Sequence, residues 1–543
     1  YALLTEGDAA QANQELAELQ AVTAADVQRV AQTYLAENRR TSIRYRSEAE
    51  LAKGGPPASS VPAAPKVAPV KYTGPVITLA PEGQRQAPPP VGTPVNPVLP
   101  KPAEKTLANG LRVIVARSSD LPLVTASLAV KAGAWADPQG LAGAAGMTAG
   151  MLTEGTRSRS AQQIAQQIEA LGASIGSGAG QESSSVSLSA MPDKLPAALA
   201  IMADVARNPA FAKEELDRQR SLALDGLQVA YQEPGSLAGF ATAPVIFAGT
   251  PFGHVADGTP ASLAKLSPEH LARIHQAYYR PDNAILVLTG DLDPEEGFRL
   301  AQQAFGDWAK PAASAPAAPD VAPKTPPRAV AIDLPGTGQA AVTVAKTGVS
   351  RKDPAYYPGI VANSVLGGGY SARLNQEIRI KRGLSYGASS ALRPQRTTGL
   401  FRAAAQTKNE SAVEVLDLIK AELTRLGAQP AGAEELKARK SVLVGGFGRE
   451  LATSGGLATI LGNLALYEVP LDEIGAYTAK VEAVTPAQVQ DFARGHLDPS
   501  QVNVIIAGDV KVFGGGLKAK LPNLETIPAD QLDFDRPTLR KAP

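Results

Sequence analysis

The sequence predicts an α+β fold built from tandem, duplicated domains. One pattern occurs three times, each time as a capped amphipathic helix followed by a short β-branched strand. The three copies begin at Val22, Leu266 and Val484, so the spacing between them is the size of a domain. With 543 residues, of which 44% are hydrophobic, the chain can bury several cores. Together these features indicate repeated domains that each combine helices with a sheet.

Each copy of the repeated helix begins with a residue that can cap its first turn. The expected caps are Thr23, Ser267 and Thr485, and the two later helices place Pro at the first helical position. The strands that follow are expected at residues 41–43, 284–288 and 502–506. Earlier in the chain, Asn109–Gly110 predicts a hairpin turn between two strands.

Shifts in composition divide the chain further. Two Pro- and Ala-rich segments, 55–100 and 312–327, are expected to be linkers. We predict a C-terminal fragment of a preceding domain at 1–54, complete domains at 101–311 and 328–510, and an irregular tail at 511–543. Because the chain begins at Tyr1 without a Met or a signal-like segment, we expect its N-terminus and any export signal to lie upstream.

Charge and composition exclude several classes of function. Lys and Arg total 53 and Asp and Glu total 52, so no charge excess favours nucleic acid or an anionic membrane. No apolar run is long enough to span a bilayer. The absence of cysteine excludes disulfides and thiolate metal sites, and fits either redox compartment. Only four histidines are present, which restricts metal chemistry: His254, His270, His275 and His496.

Residues 140–156 resemble the zinc helix of the pitrilysin/insulinase metallopeptidases, which carries the motif H-x-x-E-H. Aligned on the ending Met-Leu-Thr-Glu-Gly-Thr, the His, Glu and His positions are Gly146, Ala149 and Gly150. None of these three residues can bind zinc or move a proton. The resemblance places the third zinc ligand at Gly226, beside a single carboxylate at Asp225. We therefore expect no zinc on this chain.

Three further segments resemble the same family. Residues 278–284 are similar to its Y-Y-x-P-x-N-A segment, 367–374 to its Gly-rich turn, and 374–387 to its L-x-x-x-[IL]-R-x-K-x-x-L-x-Y pattern. The resemblance implies two tandem α/β sandwich domains of the mitochondrial processing peptidase/LuxS-like metallohydrolase type. It also implies that two such halves face each other across a chamber.

In that family the last pattern carries an Arg/Tyr pair in the half that lacks zinc, and the pair maps to Arg379 and Tyr386. An Arg supplies fixed donors to substrate carbonyls, and a Tyr hydroxyl can donate to an oxyanion. From the residues alone, a solvated helix charge and an ordinary strand aromatic are favoured, whereas the resemblance favours substrate binding. Gly383 is expected to end the helix between them, and Lys381 and Arg382 are expected to be solvated.

The triple glycine of the Gly-rich turn, Gly367, Gly368 and Gly369, lacks the Gly-Lys-Ser/Thr ending of a phosphate loop. We expect it to form a mobile turn, with Ser371 capping the next helix. A part in admitting substrate and a simple tight turn both remain open.

The combined interpretation is a non-catalytic, substrate-binding half of a zinc-dependent endopeptidase. Zinc would lie in the partner half, which is either an upstream part of the same polypeptide or a separate subunit. Peptides or small unfolded proteins would be the substrates, because a closed chamber excludes folded ones. The alternatives are a catalytically dead scaffold subunit, like the core subunits of a respiratory complex, and a stand-alone peptide-binding module. The resemblance implies a periplasmic location, since bacterial relatives of this split type are often exported.

Overall fold

The computed structural model describes residues 1–43, 45, 74, 78, 80–86, 101–118, 120–318 and 326–542. The chain divides into two compact units, Tyr1–Thr93 and Pro94–Pro543. Most of the linker expected at 55–100, and residues 319–325 of the second linker, lie outside the described residues. None of the described helices combines the length and the apolar character that crossing a bilayer requires.

The described part of the first unit is helical. It contains α1 (Ala2–Thr5), α2 (Glu15–Ala21) and α3 (Ala24–Tyr34). Thr23 and Asp26 form a reciprocal capping box at the start of α3, as the sequence predicts for Thr23. The prediction of a strand at 41–43 was wrong, since these residues form no strand in the structure. A strand needs a partner for its backbone groups, and the described part of this unit contains no strand.

Two six-stranded sheets organise the second unit. The first sheet has the order β1-β2-β6-β3-β5-β4 and the second has the order β12-β7-β11-β8-β10-β9. The strands of the first are β1 (Ala103–Thr106), β2 (Arg112–Arg117), β3 (Val124–Val130), β4 (Ser174–Ala179), β5 (Ser184–Ala190) and β6 (Ala284–Gly290). Those of the second are β7 (Ala329–Asp333), β8 (Gln339–Thr347), β9 (Ser385–Pro394), β10 (Gly399–Lys408), β11 (Asn503–Gly508) and β12 (Leu524–Pro528).

Five of the six strands follow the same topology in both sheets, and the two sheets differ in the edge strand, which is β1 in the first and β12 in the second. The central strands β6 and β11 each follow a copy of the repeated helix, and they form the strands predicted from the sequence. Each pairs in parallel with one neighbour, β2 or β7, and antiparallel with the other, β3 or β8. The hairpin predicted at Asn109–Gly110 joins β1 to β2, with Gly110 at a φ of +94°. The predicted α+β fold with duplicated sheets is confirmed.

Helices lie between and around these strands. In the half of the unit that carries the first sheet they are α4 (Ala144–Gly150), α5 (Ala161–Ala170), α6 (Leu195–Arg207), α7 (Lys213–Ala230), α8 (Pro234–Ile246), α9 (Pro260–Leu263), α10 (Pro268–Tyr278) and α11 (Pro294–Phe305). The others are α12 (Tyr356–Leu366), α13 (Arg373–Asn375), α14 (Ala412–Ala428), α15 (Ala433–Leu451), α16 (Ser454–Leu466), α17 (Glu473–Ala483), α18 (Pro486–His496) and α19 (Val510–Lys520). A π-helical turn, Gln376–Ile380, continues α13.

The predicted irregular tail contains regular structure. Helix α19 buries Phe513 and Leu517, and β12 then pairs in parallel with β7 at the edge of the second sheet. The expectation of an irregular segment over residues 511–528 was therefore wrong. Three consecutive glycines, Gly514–Gly516, weaken the helical signal in the sequence, because glycine is a poor helix former. Contact with the rest of the unit stabilises the helix instead.

Each sheet is covered on one face by a helix from the other half of the unit. Helix α8 lies against β8 and β11, and its Leu237 and Val245 join a buried cluster with Ile505. Conversely, α16 lies against β3 and β6, and its Leu461 packs in a cluster with Val287. This exchange of covering helices fixes the two sheets relative to each other.

Candidate functional site

The predicted remnant of a zinc helix is a helix in the structure. Gly146, Ala149 and Gly150 all lie on α4, where Ala149 is fully buried and the two glycines are half-buried. A side chain at Gly150 would have open space, and one at Gly146 would make only an ordinary contact with the carbonyl oxygen of Ala256 at 3.7 Å. The backbone therefore suits a ligand-bearing helix, whereas the three residues present offer no ligand atoms.

The position expected for the third zinc ligand also lacks a side chain that could bind the metal. Gly226 lies on α7, and its neighbour Asp225 is exposed. No group of three or more His, Asp or Glu side chains is placed to hold a metal ion within the described ranges. The residues at the family's zinc positions do not fit a zinc ion.

A buried carboxylate fixes the start of α4. Asp137 accepts hydrogen bonds from the backbone N–H groups of Gly143 (2.7 Å) and Ala145 (2.6 Å), and lies 3.0 Å from Nε2 of His254. Burial raises the pKa of Asp137, against the opposing effect of these hydrogen bonds. No local pattern predicts this cap, because Asp137 precedes the helix by more than the usual capping distance and His254 is remote in sequence.

Arg379 presents a guanidinium without an acidic partner. It lies on the π-helical turn and is half-buried, with its Cζ 4.8 Å from the ring centroid of Tyr370. The described residues provide it with no ion pair and no side-chain hydrogen bond. Its neighbours differ, since Lys381 and Arg382 both pair with Glu377, at 2.5 and 2.7 Å. Arg379 is thus the cation of this segment whose donors remain available.

Tyr386 projects from a β-bulge at the edge of the second sheet. Its side chain is 89% exposed. The pairing register passes from Ala388 opposite Ala405 to Ser385 opposite Thr407, so β9 has one extra residue here. The Ser385 hydroxyl spans the bulge, donating to the carbonyl oxygen of Gly387 (2.7 Å) and accepting from its N–H (3.1 Å). The bulge directs the phenol away from the core.

A buried asparagine joins the segments that carry Arg379 and Tyr386. Asn375 donates from Nδ2 to the carbonyl oxygen of Tyr370 at 2.6 Å, and its Oδ1 accepts from the N–H of Ala388 at 3.2 Å. Asn375 therefore links Tyr370, the aromatic ring that Arg379 contacts, to β9 close to Tyr386. Sequence reasoning missed this residue, since both partners are identified only by the fold.

Gly383 ends the helical segment, as predicted. Its φ is +64°, in the left-handed region that favours glycine. Its N–H donates to the carbonyl oxygen of Arg379, and the N–H of Leu384 donates to that of Ile378, both at 2.9 Å. The chain then turns directly into β9.

The triple glycine allows close packing of backbone segments. A Cβ at Gly367 would clash with the backbone nitrogen of Ser390, and one at Gly368 would lie 2.8 Å from Cα of Ser364. One at Gly369 would lie 3.4 Å from Nη1 of Arg439. The structure therefore gives a steric reason for the first two glycines; the expected mobility of the turn stays a prediction.

The cap predicted for the next helix was wrong. The N-cap of α13 is Ala372, and no side chain caps it. The Ser371 hydroxyl instead accepts a hydrogen bond from Nη2 of the buried Arg439 on α15. A buried guanidinium needs acceptors, and this demand outweighs a local cap.

A cluster of charged side chains supports α13 from below. Arg373 is only 7% exposed and donates from Nε and Nη2 to the two carboxylate oxygens of Glu435, both at 2.7 Å. This pairing lowers the pKa of Glu435. Glu422 is also buried, and its Oε2 has no hydrogen-bond partner, so burial raises its pKa.

Two family patterns match this chain. The one described as insulinase (peptidase family M16) matches residues 112–241, and the one described as peptidase M16 inactive domain matches residues 265–443. An uncharacterized zinc protease of Streptomyces coelicolor is 27% identical over 394 residues, which are 72% of this chain and 86% of that protein. A probable mitochondrial-processing peptidase subunit beta of Schizosaccharomyces pombe is 24% identical over 277 residues, 50% of this chain and 59% of that protein.

Solved structures agree with these matches. A peptidase M16 inactive domain from Pseudomonas fluorescens superimposes with a TM-score of 0.70 at 28% identity, covering 75% of this chain and 98% of the other. A protease from Helicobacter pylori has the same fold, with a TM-score of 0.71 at 18% identity over 76% of this chain and 100% of the other. On the combined evidence of sequence and fold, the chain belongs to the insulinase family of peptidases, peptidase family M16.

Proposed function

We propose that this chain is the non-catalytic, substrate-binding half of a zinc-dependent endopeptidase of the insulinase family. The observation that carries the proposal is the unpaired guanidinium of Arg379, held against Tyr370 while Lys381 and Arg382 are both ion-paired with Glu377. A cation that is positioned yet unpaired is available for a ligand with acceptor oxygens. Peptide carbonyl groups are such acceptors.

The roles of the two side chains follow from their chemistry. Arg379 donates to carbonyl oxygens of an extended peptide and so fixes its position. The exposed Tyr386 hydroxyl donates to the oxygen that becomes negative when water attacks the scissile carbonyl. The partner half supplies the metal and the residues that activate water. This chain positions the peptide and stabilises the negative charge on the carbonyl oxygen, and contributes nothing to the activation of water.

The first unit favours a partner half encoded upstream in the same polypeptide. In α10 and α18 the equivalent positions Leu271 and Val489 are fully buried, whereas Val27 in α3 is 61% exposed. Val30 is likewise exposed, while its counterparts in the other two copies are buried. An apolar helix face of this kind normally packs on a sheet of its own domain. We propose that α3 is the last helix of a preceding domain.

Variants of the pair test the proposal in the enzyme purified together with its partner half. With fluorescein-labelled casein as an unfolded substrate, Arg379→Ala and Tyr386→Phe are each expected to lower kcat/KM by about tenfold or more. Tyr386→Phe acts mainly on kcat, because the hydroxyl contributes most in the transition state. The matched control is Arg382→Ala, which removes a cation already paired with Glu377 and leaves turnover unchanged. Wild-type turnover in both test variants would refute the assignment.

Purification separates this function from the alternatives. Co-elution with an H-x-x-E-H-bearing polypeptide, together with an isolated chain that contains no stoichiometric zinc by elemental analysis, supports the proposal. A lone monomer that binds casein without any partner supports a stand-alone binding module. An assembly that contains the chain but does not respond to changes in Arg379 and Tyr386 supports a scaffold.

A further inference from the structure

A cavity of about 510 Å³ lies between α8 and the outer strands of the second sheet. Helix α8 covers β8 and β11, whereas β9 and β10 extend beyond it. Small residues of α8, Ser236, Gly239 and Ala243, line one wall, and β9 and β10 form the opposite one. The narrow helix surface leaves room for a ligand between helix and sheet.

Two arginines on the sheet side of the cavity have no acidic partner. Arg393 on β9 pairs across the sheet with Leu400, two residues before Arg402 on β10, so both side chains share the face that lines the cavity. Neither forms an ion pair within the described ranges. The Nε atom of Arg402 is buried without a hydrogen-bond partner, and Nη2 makes only a 3.4 Å contact with Oγ1 of Thr343. Burial and the nearby charge of Arg393 lower the pKa of Arg402.

Two unpaired acceptors accompany these donors. The side-chain oxygens of Gln181 and Gln395 are buried without hydrogen-bond partners, and both residues line the cavity. The remaining ionisable groups of the lining do not neutralise the arginines. His254 is bound to Asp137, and Asp257 is exposed and pairs with neither arginine among the described contacts.

We propose that this cavity binds a carboxylate of a peptide, either its C-terminal carboxylate or that of a Glu or Asp side chain. The carboxylate pairs with Arg393 and Arg402, and backbone N–H groups of the peptide donate to Gln181 and Gln395. A single ligand then provides partners for both arginines and for both glutamine side-chain oxygens. The inference rests on the proposed function for its ligand class, and narrows that class to peptides with a carboxylate at a defined place.

The geometry of β9 gives the distance between Arg393 in the cavity and Tyr386, the proposed contact to the scissile carbonyl. Tyr386 and Arg393 lie seven residues apart on β9, which corresponds to about 23 Å of extended chain. The cavity also contains Ala256, whose carbonyl lies beside Gly146 on the zinc-helix remnant. A peptide along β9 therefore reaches the cavity about seven residues from the bond at Tyr386.

Binding of three labelled octapeptides to the purified full chain tests this site. The peptides share one sequence and carry a fluorescein at the N-terminus. One has an internal Glu and a C-terminal amide, the second has Gln and a free C-terminus, and the third has Gln and an amide. Dissociation constants are measured by fluorescence anisotropy for wild type, Arg402→Met and Arg393→Gln. The matched control is Arg299→Gln, an exposed arginine paired with Glu296 on α11.

At least one carboxylate peptide is expected to bind wild type about tenfold or more tightly than the neutral peptide. This preference disappears in Arg402→Met and Arg393→Gln and persists in Arg299→Gln, and the preferred peptide identifies which carboxylate is read. Equal affinity for all three peptides, no binding of any, or a preference retained in both cavity variants overturns the inference.

Two readouts separate loss of the carboxylate site from misfolding and from failure of the proposed function. Calorimetry is expected to show that Arg402→Met unfolds no earlier than wild type, because it removes an unpaired buried charge. Arg393 is exposed, so Arg393→Gln reports on binding even if the first variant folds poorly. Wild-type cleavage by Arg379→Ala and Tyr386→Phe would refute the proposed function while leaving the carboxylate preference intact. If wild type shows no preference for a carboxylate peptide while Arg379→Ala and Tyr386→Phe still impair cleavage, only the proposed carboxylate site in the cavity is refuted.

Discussion

The two glutamates beneath α13 should respond in opposite directions to the same substitution. Glu435 accepts both hydrogen bonds of Arg373 and is 32% exposed, whereas Glu422 is buried with one oxygen unpaired. Glu435→Gln removes the charge that neutralises a buried guanidinium. Glu422→Gln removes a buried charge that is paired only through one oxygen, which accepts a hydrogen bond from the partly exposed Arg425 at 3.0 Å.

The expected magnitudes follow from burial. Breaking a fully buried ion pair costs about 3–5 kcal/mol, and the partial exposure of Glu435 reduces this to about 2–3 kcal/mol for Glu435→Gln. For a cooperative unit that spans Pro94–Pro543, whose unfolding entropy is about 2.1 cal/mol/K per residue, that corresponds to a fall of roughly 2–3 °C in the unfolding temperature. Glu422→Gln is expected to cost nothing and to add up to about 1 kcal/mol, because a neutral amide is cheaper to bury than a carboxylate.

The pH dependence of the two variants provides a second check. The pKa of Glu435 is lowered by Arg373, so its stabilising contribution is present above the ordinary value of 4.5 and is lost as the pH falls through the lower folded pKa. The pKa of Glu422 is raised by burial, so its cost is absent below the ordinary value of 4.5 and is complete once the pH has risen through the higher folded pKa. Both variants should therefore approach wild type as the pH falls below the ordinary value of 4.5, and Glu435→Gln should do so at the lower pH.

Differential scanning calorimetry at neutral and acidic pH measures all of these quantities. Equal destabilisation by the two substitutions at neutral pH would contradict the reasoning. So would a difference between them that grows as the pH falls. Either result would show that Arg373 is stabilised by something other than Glu435.

Two further outcomes follow from local geometry. Gly367→Ala is expected to lower the free energy of unfolding by about 2 kcal/mol or more, because its Cβ clashes with the backbone of Ser390, whereas Gly150→Ala, in open space on a helix, adds about 0.5–1 kcal/mol. Urea unfolding measures both, and equal effects would contradict the steric argument. Asp137→Ala leaves two buried N–H groups of α4 without an acceptor and is expected to cost about 2 kcal/mol; an unchanged urea midpoint would show that water replaces the carboxylate.

The predictable features of this fold depend on residues close together in sequence. The Pro268 and Pro486 helix starts, the strands at β6 and β11, and the termination at Gly383 all arise from local propensity. Of the two expected caps at these helix starts, Thr485 forms its side-chain hydrogen bond, whereas the cap expected at Ser267 was wrong, since no side-chain cap forms there. A helix was likewise expected at Gly146 to Gly150, and the structure has α4 there. The repeated signals, a helix that starts at Pro and a central strand after it, suffice for the duplicated α+β architecture, because each half contains them in the same order.

The features that escaped prediction depend on partners distant in sequence. Arg373 meets Glu435 across 62 residues, and Arg439 meets Ser371 across 68. No local pattern identifies such pairs. The expected cap at Ser371 failed for this reason, since a remote buried cation uses the same hydroxyl. The expected strand at 41–43 failed because local β propensity is insufficient without a neighbouring strand.

The position of β9 supports the proposed peptide ligand over the alternative of a scaffold role. It is an edge strand of the second sheet, and its outer backbone groups have no neighbouring strand among the described residues. One end is interrupted by the bulge at Tyr386, and the other ends with the charge of Arg393 followed by Pro394. Both devices discourage pairing with another whole sheet, which would favour a long, uninterrupted edge. They leave a short extended stretch, 387–392, bounded by a hydroxyl donor and a cation. A scaffold contact requires neither boundary, whereas an extended peptide that pairs along this edge would engage both.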